Sequence, residues 1–184
     1  MPEVRAESIA NLKEAKRILD ELGIPFCLFL GTALGAWRDL DFCPEDEDDI
    51  DLAITNDHYN RRGAIIEAFE KAGFIMKEYQ ARGAISPEIA FIKEHGSWHT
   101  KVDLFFVVPQ GSQMIWTFYT PEAQNRATQR KFFDLYQEVL FFGEAYNIPF
   151  PIEQYLKDNY GALWYKPIPR SEWQWDKDNK CDIV

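Results

Sequence analysis

The chain has 184 residues, of which 46% are hydrophobic and 15% aromatic, and its formal net charge at pH 7 is −10. This length and composition predict a single domain over residues 1–184 with a sizeable core, and they exclude a disordered chain. The acidic balance argues against binding to a nucleic-acid backbone, whereas a nucleotide held through metal ions stays compatible because the ions reverse the local charge.

The first half of the chain alternates between helical and strand-like patterns. Hydrophobic periodicity predicts a helix over 8–22, a buried strand over 25–30 and a short helix over 32–38. A second strand is predicted over 49–54, where acidic and apolar residues alternate, and a further helix over 59–72.

The second half is mainly strand-like. Strands are predicted over 74–79, 85–93, 101–108 and 113–119. A hairpin is expected around the Gly-Glu pair at 143–144 and a short helix over 151–160, while the polar tail over 171–184 is expected to be loosely ordered. The fold class predicted from this order is α+β, with a mixed sheet flanked by helices.

Cysteine usage and apolar content point to a compartment. The three cysteines show neither a disulfide framework nor metal-ligand spacing, which suits a reducing environment. The N-terminus has no apolar leader, and no stretch approaches the roughly 20 apolar residues that a membrane span needs. We therefore expect a cytoplasmic protein without a membrane span.

Three aspartates form the strongest chemical pattern. Asp49 and Asp51 alternate with Ile50 and Leu52 in a predicted strand, so both carboxylates point to one face. Magnesium prefers a few carboxylate oxygens together with substrate phosphate oxygens. Two-metal centres usually need a third carboxylate, and Asp103 is the candidate because it is the lone acid in an apolar strand. The pattern predicts a site for Mg²⁺, with Mn²⁺ as the alternative.

Each part of this pattern also has a structural interpretation. The acidic residues 45–47 are typical of a solvated loop, and Asp103 could be paired structurally with Lys101 or Arg82. The order of a small-residue turn, an Asp-x-Asp strand and a lone strand aspartate nevertheless favours a functional site.

The small-residue turn is the segment 31–35, Gly-Thr-Ala-Leu-Gly, which follows the first predicted strand. Its first glycine would let the backbone approach a phosphate, while a helix N-terminus and the Thr32 hydroxyl would supply donors. Arg38 would add a forked donor, although a salt bridge to Asp39, Asp41 or the acidic run is the alternative. The predicted substrate-binding residues are Gly31, Thr32, Gly35 and Arg38.

These motifs resemble the LicD and fukutin family, a branch of the nucleotidyltransferase superfamily that includes DNA polymerase β. That family carries Gly-Thr-Leu-Leu-Gly with a following Arg, and then Pro-Trp-Asp-Asp-Asp-Ile-Asp-Ile, which segments 31–38 and 42–52 resemble. Residues 102–105, Val-Asp-Leu-Phe, resemble its Val-Asp-Ile-Phe strand, and 141–164 resemble its C-terminal block. Glu47 stands where some members carry a first Asp, which leaves open whether it is a ligand.

The resemblance implies a nucleotidyltransferase fold and a transfer of a phospho-alcohol, such as phosphocholine or a polyol phosphate. The donor would be CDP-linked, for example CDP-choline, and the acceptor a hydroxyl of a glycan or small molecule. Asp49 and Asp51 would bind magnesium, and Asp103 would complete the metal site and help to deprotonate the acceptor. The donor's phosphates would be held by Gly31, Thr32 and Arg38.

Two other functions stay open at the level of sequence. One is a nucleotidyltransferase that leaves the nucleotide on a small-molecule hydroxyl, as antibiotic-modifying enzymes do. The other is a catalytically silent domain whose acidic cluster binds a cation or a partner, although the spacing does not match an EF-hand loop.

Overall fold

The computed structural model describes residues 2–79, 84–119, 123–169, 172 and 182–183. Its helices are α1 (Pro2–Glu21), α2 (Leu30–Arg38), α3 (Arg62–Lys71) and α4 (Ile152–Tyr160), with 3₁₀ helices over Asn56–Arg61 and Arg130–Phe133. Its strands are β1 (Cys27–Leu28), β2 (Asp49–Thr55), β3 (Ile75–Tyr79), β4 (Glu88–His95), β5 (Trp98–Gln110), β6 (Gln113–Tyr119), β7 (Ala123–Gln129), β8 (Tyr136–Phe141), β9 (Glu144–Pro149) and β10 (Asp182–Ile183).

Strand β5 organises the sheet. Over its first ten residues it pairs with β2 on one side, in parallel, and with β4 on the other, antiparallel. Its last three residues pair with β6, from which β7 and β10 continue the sheet in antiparallel order. Strands β1 and β3 flank β2 and β4. This arrangement confirms the predicted α+β class with a mixed sheet.

The two faces of β5 meet different layers. On one face α1 and the segment before α3 cover the sheet, as shown by the hydrogen bond from Asn11 to Thr100 and the edge contact of Tyr59 with Phe106. On the other face Phe105 packs against Phe29 and Phe118. Apolar side chains therefore cover both faces of this part of the sheet, as its continuous apolar sequence requires.

The predicted elements are largely confirmed, and the differences have local causes. Strand β1 has only two residues because the chain turns at Leu30, whose φ of +37° starts α2 two residues earlier than expected. The helix predicted over 59–72 divides into a 3₁₀ turn and α3. The hairpin turn is Phe142-Gly143, with φ of +48° and +82°, which suits a two-residue loop.

Sequence patterning missed β7, whose residues Ala-Gln-Asn-Arg-Ala-Thr-Gln show no apolar alternation. Its strand conformation comes from full pairing with β6. Of the expected loose tail, Asp182–Ile183 pairs with β7, and apart from Glu172 the rest of 171–184 lies outside the described residues. Among the described helices, none combines the length and the apolar character that crossing a bilayer requires.

Candidate active site

The parallel pairing of β2 with β5 brings the three predicted acids together. In this register Asp51 lies opposite Asp103, and Asp49 lies opposite Lys101. Because residues two apart on a strand share a face, all three carboxylates project from the same side of the sheet. One oxygen from each carboxylate lies within 4.8 Å of the others. The sequence prediction that these acids converge therefore has a direct geometric basis.

Lys101 is the resident cation of this cluster. Its Nζ lies 2.8 Å from Oδ2 of Asp103 and 3.2 Å from Oδ2 of Asp49. The structural pairing of Asp103 with Lys101, left open by the sequence, is thus present alongside the carboxylate cluster. The other oxygens, Oδ1 of Asp49 and Oδ1 of Asp103, are buried and have no hydrogen-bond partner among the described residues.

The cluster holds more negative charge than its surroundings offset. Burial raises the pKa of Asp51 well above its ordinary value, and the charges of Asp49 and Asp103 raise it further. Burial, followed by the charge of Asp49, raises the pKa of Asp103 to about 7, although Lys101 opposes this shift. Such pKa shifts indicate that nearby positive charges and hydrogen-bond donors do not fully stabilise the ionised carboxylates. This situation is frequent at functional sites.

Glu88 is a fourth acid at this site, and the sequence analysis did not select it. It is 6% exposed, and the register that places Ala90 opposite Asp103 puts Glu88 on the same face of the sheet. Burial and then the charge of Asp103 raise its pKa to about 9. The sequence contains a pattern that could have identified Glu88, since this acid begins an otherwise apolar run in the strand predicted over 85–93.

Helix α2 orients Asp51 through its first residues. The Gly31 N–H donates to Oδ2 of Asp51 at 3.1 Å, and the Asp51 N–H donates to the buried Thr32 hydroxyl at 2.9 Å. A Cβ on Gly31 would lie 3.4 Å from Oδ2 of Asp51 and 3.2 Å from Oδ2 of Asp46. The Leu30 N–H donates to the Tyr155 hydroxyl. Two N–H groups at the start of α2 are therefore already used inside the protein.

Gly35 has a packing role. A Cβ at this position would lie 2.5 Å from the Asp41 carbonyl oxygen and 2.9 Å from the Cys43 backbone nitrogen. The loop after α2 therefore lies directly on the helix, and the Cys43 thiol donates to the Gly31 carbonyl at 3.4 Å. This close approach carries Asp46 back toward Gly31, so part of the acidic run borders the site, whereas Glu45 is exposed.

Arg38 lies at the other end of α2, about 10 Å along the helix from Gly31 at 1.5 Å per residue. Its guanidinium binds both carboxylate oxygens of Asp39, at 3.0 Å and 2.6 Å, and donates to the Trp164 carbonyl at 3.4 Å. The salt bridge to Asp39, one of the two sequence interpretations, is thus formed. The forked face of the Arg38 guanidinium is therefore occupied by Asp39.

The three aspartates fit a hard divalent cation. They supply only carboxylate oxygens, the ligand type that magnesium and manganese prefer. The two buried Oδ1 atoms without a partner among the described residues are the strongest sign, because buried polar atoms are otherwise satisfied. Which of the two ions binds stays a prediction.

Comparison with known proteins identifies the family. The sequence model described as "LicD/FKTN/FKRP, nucleotidyltransferase domain" matches residues 23–151, a range that contains α2 and the three acids. The chain belongs to this family. Residues 23–151 correspond to the nucleotidyltransferase domain of this family, and the resemblance noted in the sequence is confirmed.

Fukutin proteins are among the relatives of this LicD-family domain. The chain is 30% identical over 183 residues to human "Ribitol-5-phosphate transferase FKTN", covering 93% of this chain and 37% of that protein. The mouse protein of the same name is 30% identical over 175 residues, with 92% and 35% covered. The chain thus spans about a third of the length of these curated relatives.

Among solved structures, the solution structure of the antibiotic-resistance factor ANT(2'')-Ia is similar to this chain. The TM-score is 0.50 at 17% sequence identity, and the alignment covers 92% of this chain and 77% of the other. At this identity the likeness concerns the fold alone, and it confirms the predicted nucleotidyltransferase type of fold.

Proposed function

We propose that this protein is a magnesium-dependent transferase that moves a phospho-alcohol from a CDP-linked donor to a hydroxyl of a glycan. The observation that carries the proposal is the convergence of Asp49, Asp51 and Asp103, with one oxygen of each within 4.8 Å of the others. Membership in the LicD/FKTN/FKRP family supports the reaction class. The name of the fukutin relatives favours ribitol phosphate over phosphocholine as the transferred group.

In this reaction the acceptor oxygen forms a bond to phosphorus, the bond from phosphorus to CMP breaks, and CMP leaves. Asp49, Asp51 and Asp103 would hold Mg²⁺, which would neutralise charge on the donor's diphosphate. Asp103 would also accept the proton of the attacking hydroxyl, a task that carboxylates perform in such transfers. Most of the rate would come from positioning, because the protein forms no covalent bond to substrate.

Helix α2 would serve the donor in three ways. Gly31 and Thr32 hold Asp51 through the hydrogen bonds described above, which would fix one side of the proposed diphosphate site. Arg38 would exchange its bond to Asp39 for a phosphate oxygen, since guanidinium groups bind carboxylate and phosphate in the same forked geometry. Gly35 would contribute by letting the following loop lie on α2.

Product mass tests the reaction class. The protein would be incubated with Mg²⁺ and a panel of glycans, in parallel with CDP-ribitol, CDP-choline and CTP. We expect release of CMP and a glycan heavier by one phosphoribitol. A product that carries CMP itself would instead support the nucleotidyltransferase alternative and contradict the proposal.

Calorimetry tests the site. Asp49→Ala and Asp51→Ala should abolish Mg²⁺-dependent binding of the CDP-alcohol, whereas Asp134→Ala, which changes an exposed acid, should leave it intact. Unchanged binding in both cluster variants would remove these residues from the site. Cation binding without any donor binding in the wild-type protein would support the silent-domain alternative.

A further inference from the structure

The Lys101 ammonium contacts two of the three clustered carboxylates, as a cation shared between them would. Paired ions in phosphoryl-transfer enzymes lie about 3.5–4 Å apart and share carboxylate ligands. Here two of the three carboxylates already share one cationic group, because the Lys101 ammonium contacts Oδ2 of both Asp49 and Asp103. The side chain is built into the sheet, with Asp49 opposite it on β2 and Ile92 opposite it on β4.

The remaining oxygens suffice for one ion. The Oδ1 atoms of Asp49 and Asp103 have no hydrogen-bond partner among the residues described, and Asp51 supplies the third carboxylate. Among the three candidate ligands and Lys101 alone, three carboxylates and one ammonium leave two negative charges, which a single divalent ion neutralises. A second ion would meet an ammonium within contact distance of two of its ligands, and this repulsion is strong where water is partly excluded.

We propose that Lys101 acts as the permanent second cation of this centre, so that the protein binds one divalent ion where related two-metal centres bind two. The inference rests on the proposed metal-dependent function. Lys101 is a positioning residue: it keeps Asp49 and Asp103 together before the ion arrives and excludes a second ion. Loss of its charge opens a second site between the same two carboxylates.

Counting bound manganese tests this role. The full chain would be titrated with Mn²⁺ alone, and bound ions would be counted by electron paramagnetic resonance in the wild-type protein and in Lys101→Met. We expect one Mn²⁺ per chain in the wild type and two in the variant, with the dipolar broadening that two ions about 4 Å apart produce. Lys101→Arg, which retains the charge, should keep the count at one.

Lys93→Met is the matched control, because Lys93 lies on the neighbouring strand over the ring of Phe74 and should leave one ion bound. Circular dichroism would establish that each variant is folded. Two ions in the wild type, or one ion in a folded Lys101→Met protein, would overturn the role of Lys101 and leave the metal-dependent function intact. Binding that does not change in Asp51→Asn would overturn the metal site itself.

Discussion

Asp103 and Phe105 lie two residues apart on β5 and project from the same face of the sheet, yet the contacts of their side chains differ in kind. Asp103 has one oxygen on Lys101 and one buried oxygen without a partner among the described residues. Phe105 packs against the ring of Phe29 at 5.5 Å and that of Phe118 at 6.0 Å. The carboxylates at one end of this face thus repel one another. The aromatic packing around Phe105, two residues further along β5, offsets the free-energy cost of that repulsion.

Phe29 joins the two regions. Its ring is fully buried and contacts the ring of Trp116 at 5.3 Å, while its N–H donates to the Asp51 carbonyl at 3.0 Å. The aromatic cluster therefore fixes the backbone that carries the acid. Substitutions in the aromatic region should therefore reduce stability, whereas substitutions of the acids should reduce activity without reducing stability. This contrast is expected where catalytic groups are held in an unfavourable arrangement.

The largest effect is expected from the aromatic region. Phe29→Ala should lower the free energy of unfolding by about 3–5 kcal/mol, because it removes a buried ring and leaves a cavity. Urea denaturation would measure the loss. Leu140→Ala is the control, since its side chain is 70% exposed and the change should stay within about 0.5 kcal/mol. Equal effects of the two substitutions would contradict the packing assignment.

The acidic region should show the reverse pattern. Asp51→Asn should reduce donor turnover by about 100–1000-fold, equivalent to about 2.7–4 kcal/mol of transition-state stabilisation. The unfolding free energy of the metal-free protein should stay constant or rise, because burial and neighbouring acids disfavour the Asp51 charge. Turnover assays and urea denaturation would be run beside Asp134→Asn, which should change neither. A variant that loses stability together with activity would make Asp51 structural.

Two helical glycines allow a similar comparison between a tightly packed position and an open one. Gly35→Ala should destabilise the protein by about 1–3 kcal/mol, since its Cβ would lie 2.5 Å from a backbone oxygen that cannot rotate away. Gly63→Ala, in α3, has no heavy atom within 4 Å of the added Cβ and should stabilise by about 0.5–1 kcal/mol. Thermal melts of both variants would decide; stabilisation by both would show that the loop after α2 does not lie on Gly35.

Sequence reasoning reached the acids because their signal is local. Asp49 and Asp51 alternate with apolar residues, and the parallel register then places Asp103 opposite Asp51. That Thr32 serves a phosphate stays a prediction. Its hydroxyl also accepts the Asp51 N–H, a long-range contact that no local pattern encodes. The same holds for β7, whose polar residues form a strand through pairing with β6 and β10.

Glu88 could have been identified from the sequence by the criterion that identified Asp103. It is an acid at the start of an apolar strand, the criterion that selected Asp103, yet its neighbours at the site come from β5 and become visible only in the register. Its effect on stability has a clear sign and can be tested directly.

The effect of Glu88 on stability depends on pH. Burial and the charge of Asp103 raise the pKa of Glu88 from 4.5 to about 9, so between these values the folded protein holds a proton that the unfolded chain releases. The stability that this proton contributes is fully present below pH 4.5 and is lost as the pH rises through 9. Asp103, whose pKa is raised to about 7, acts in the same direction.

Glu88→Gln should therefore flatten the pH dependence of stability, since glutamine stays neutral at every pH. In EDTA, the unfolding free energy of Glu88→Gln should match that of the wild type near pH 4.5 and exceed it by about 1–2 kcal/mol near pH 9. This difference is a modest part of the full linkage energy, which is about 1.4 kcal/mol for each unit of pKa shift. Urea denaturation at a series of pH values would measure both curves. Glu94→Gln, an exposed acid on the same strand, should leave the wild-type slope unchanged. If the two curves run parallel, Glu88 is ionised in the folded protein. The surroundings of the acids on this face of β5 would then compensate their negative charge better than the geometry indicates.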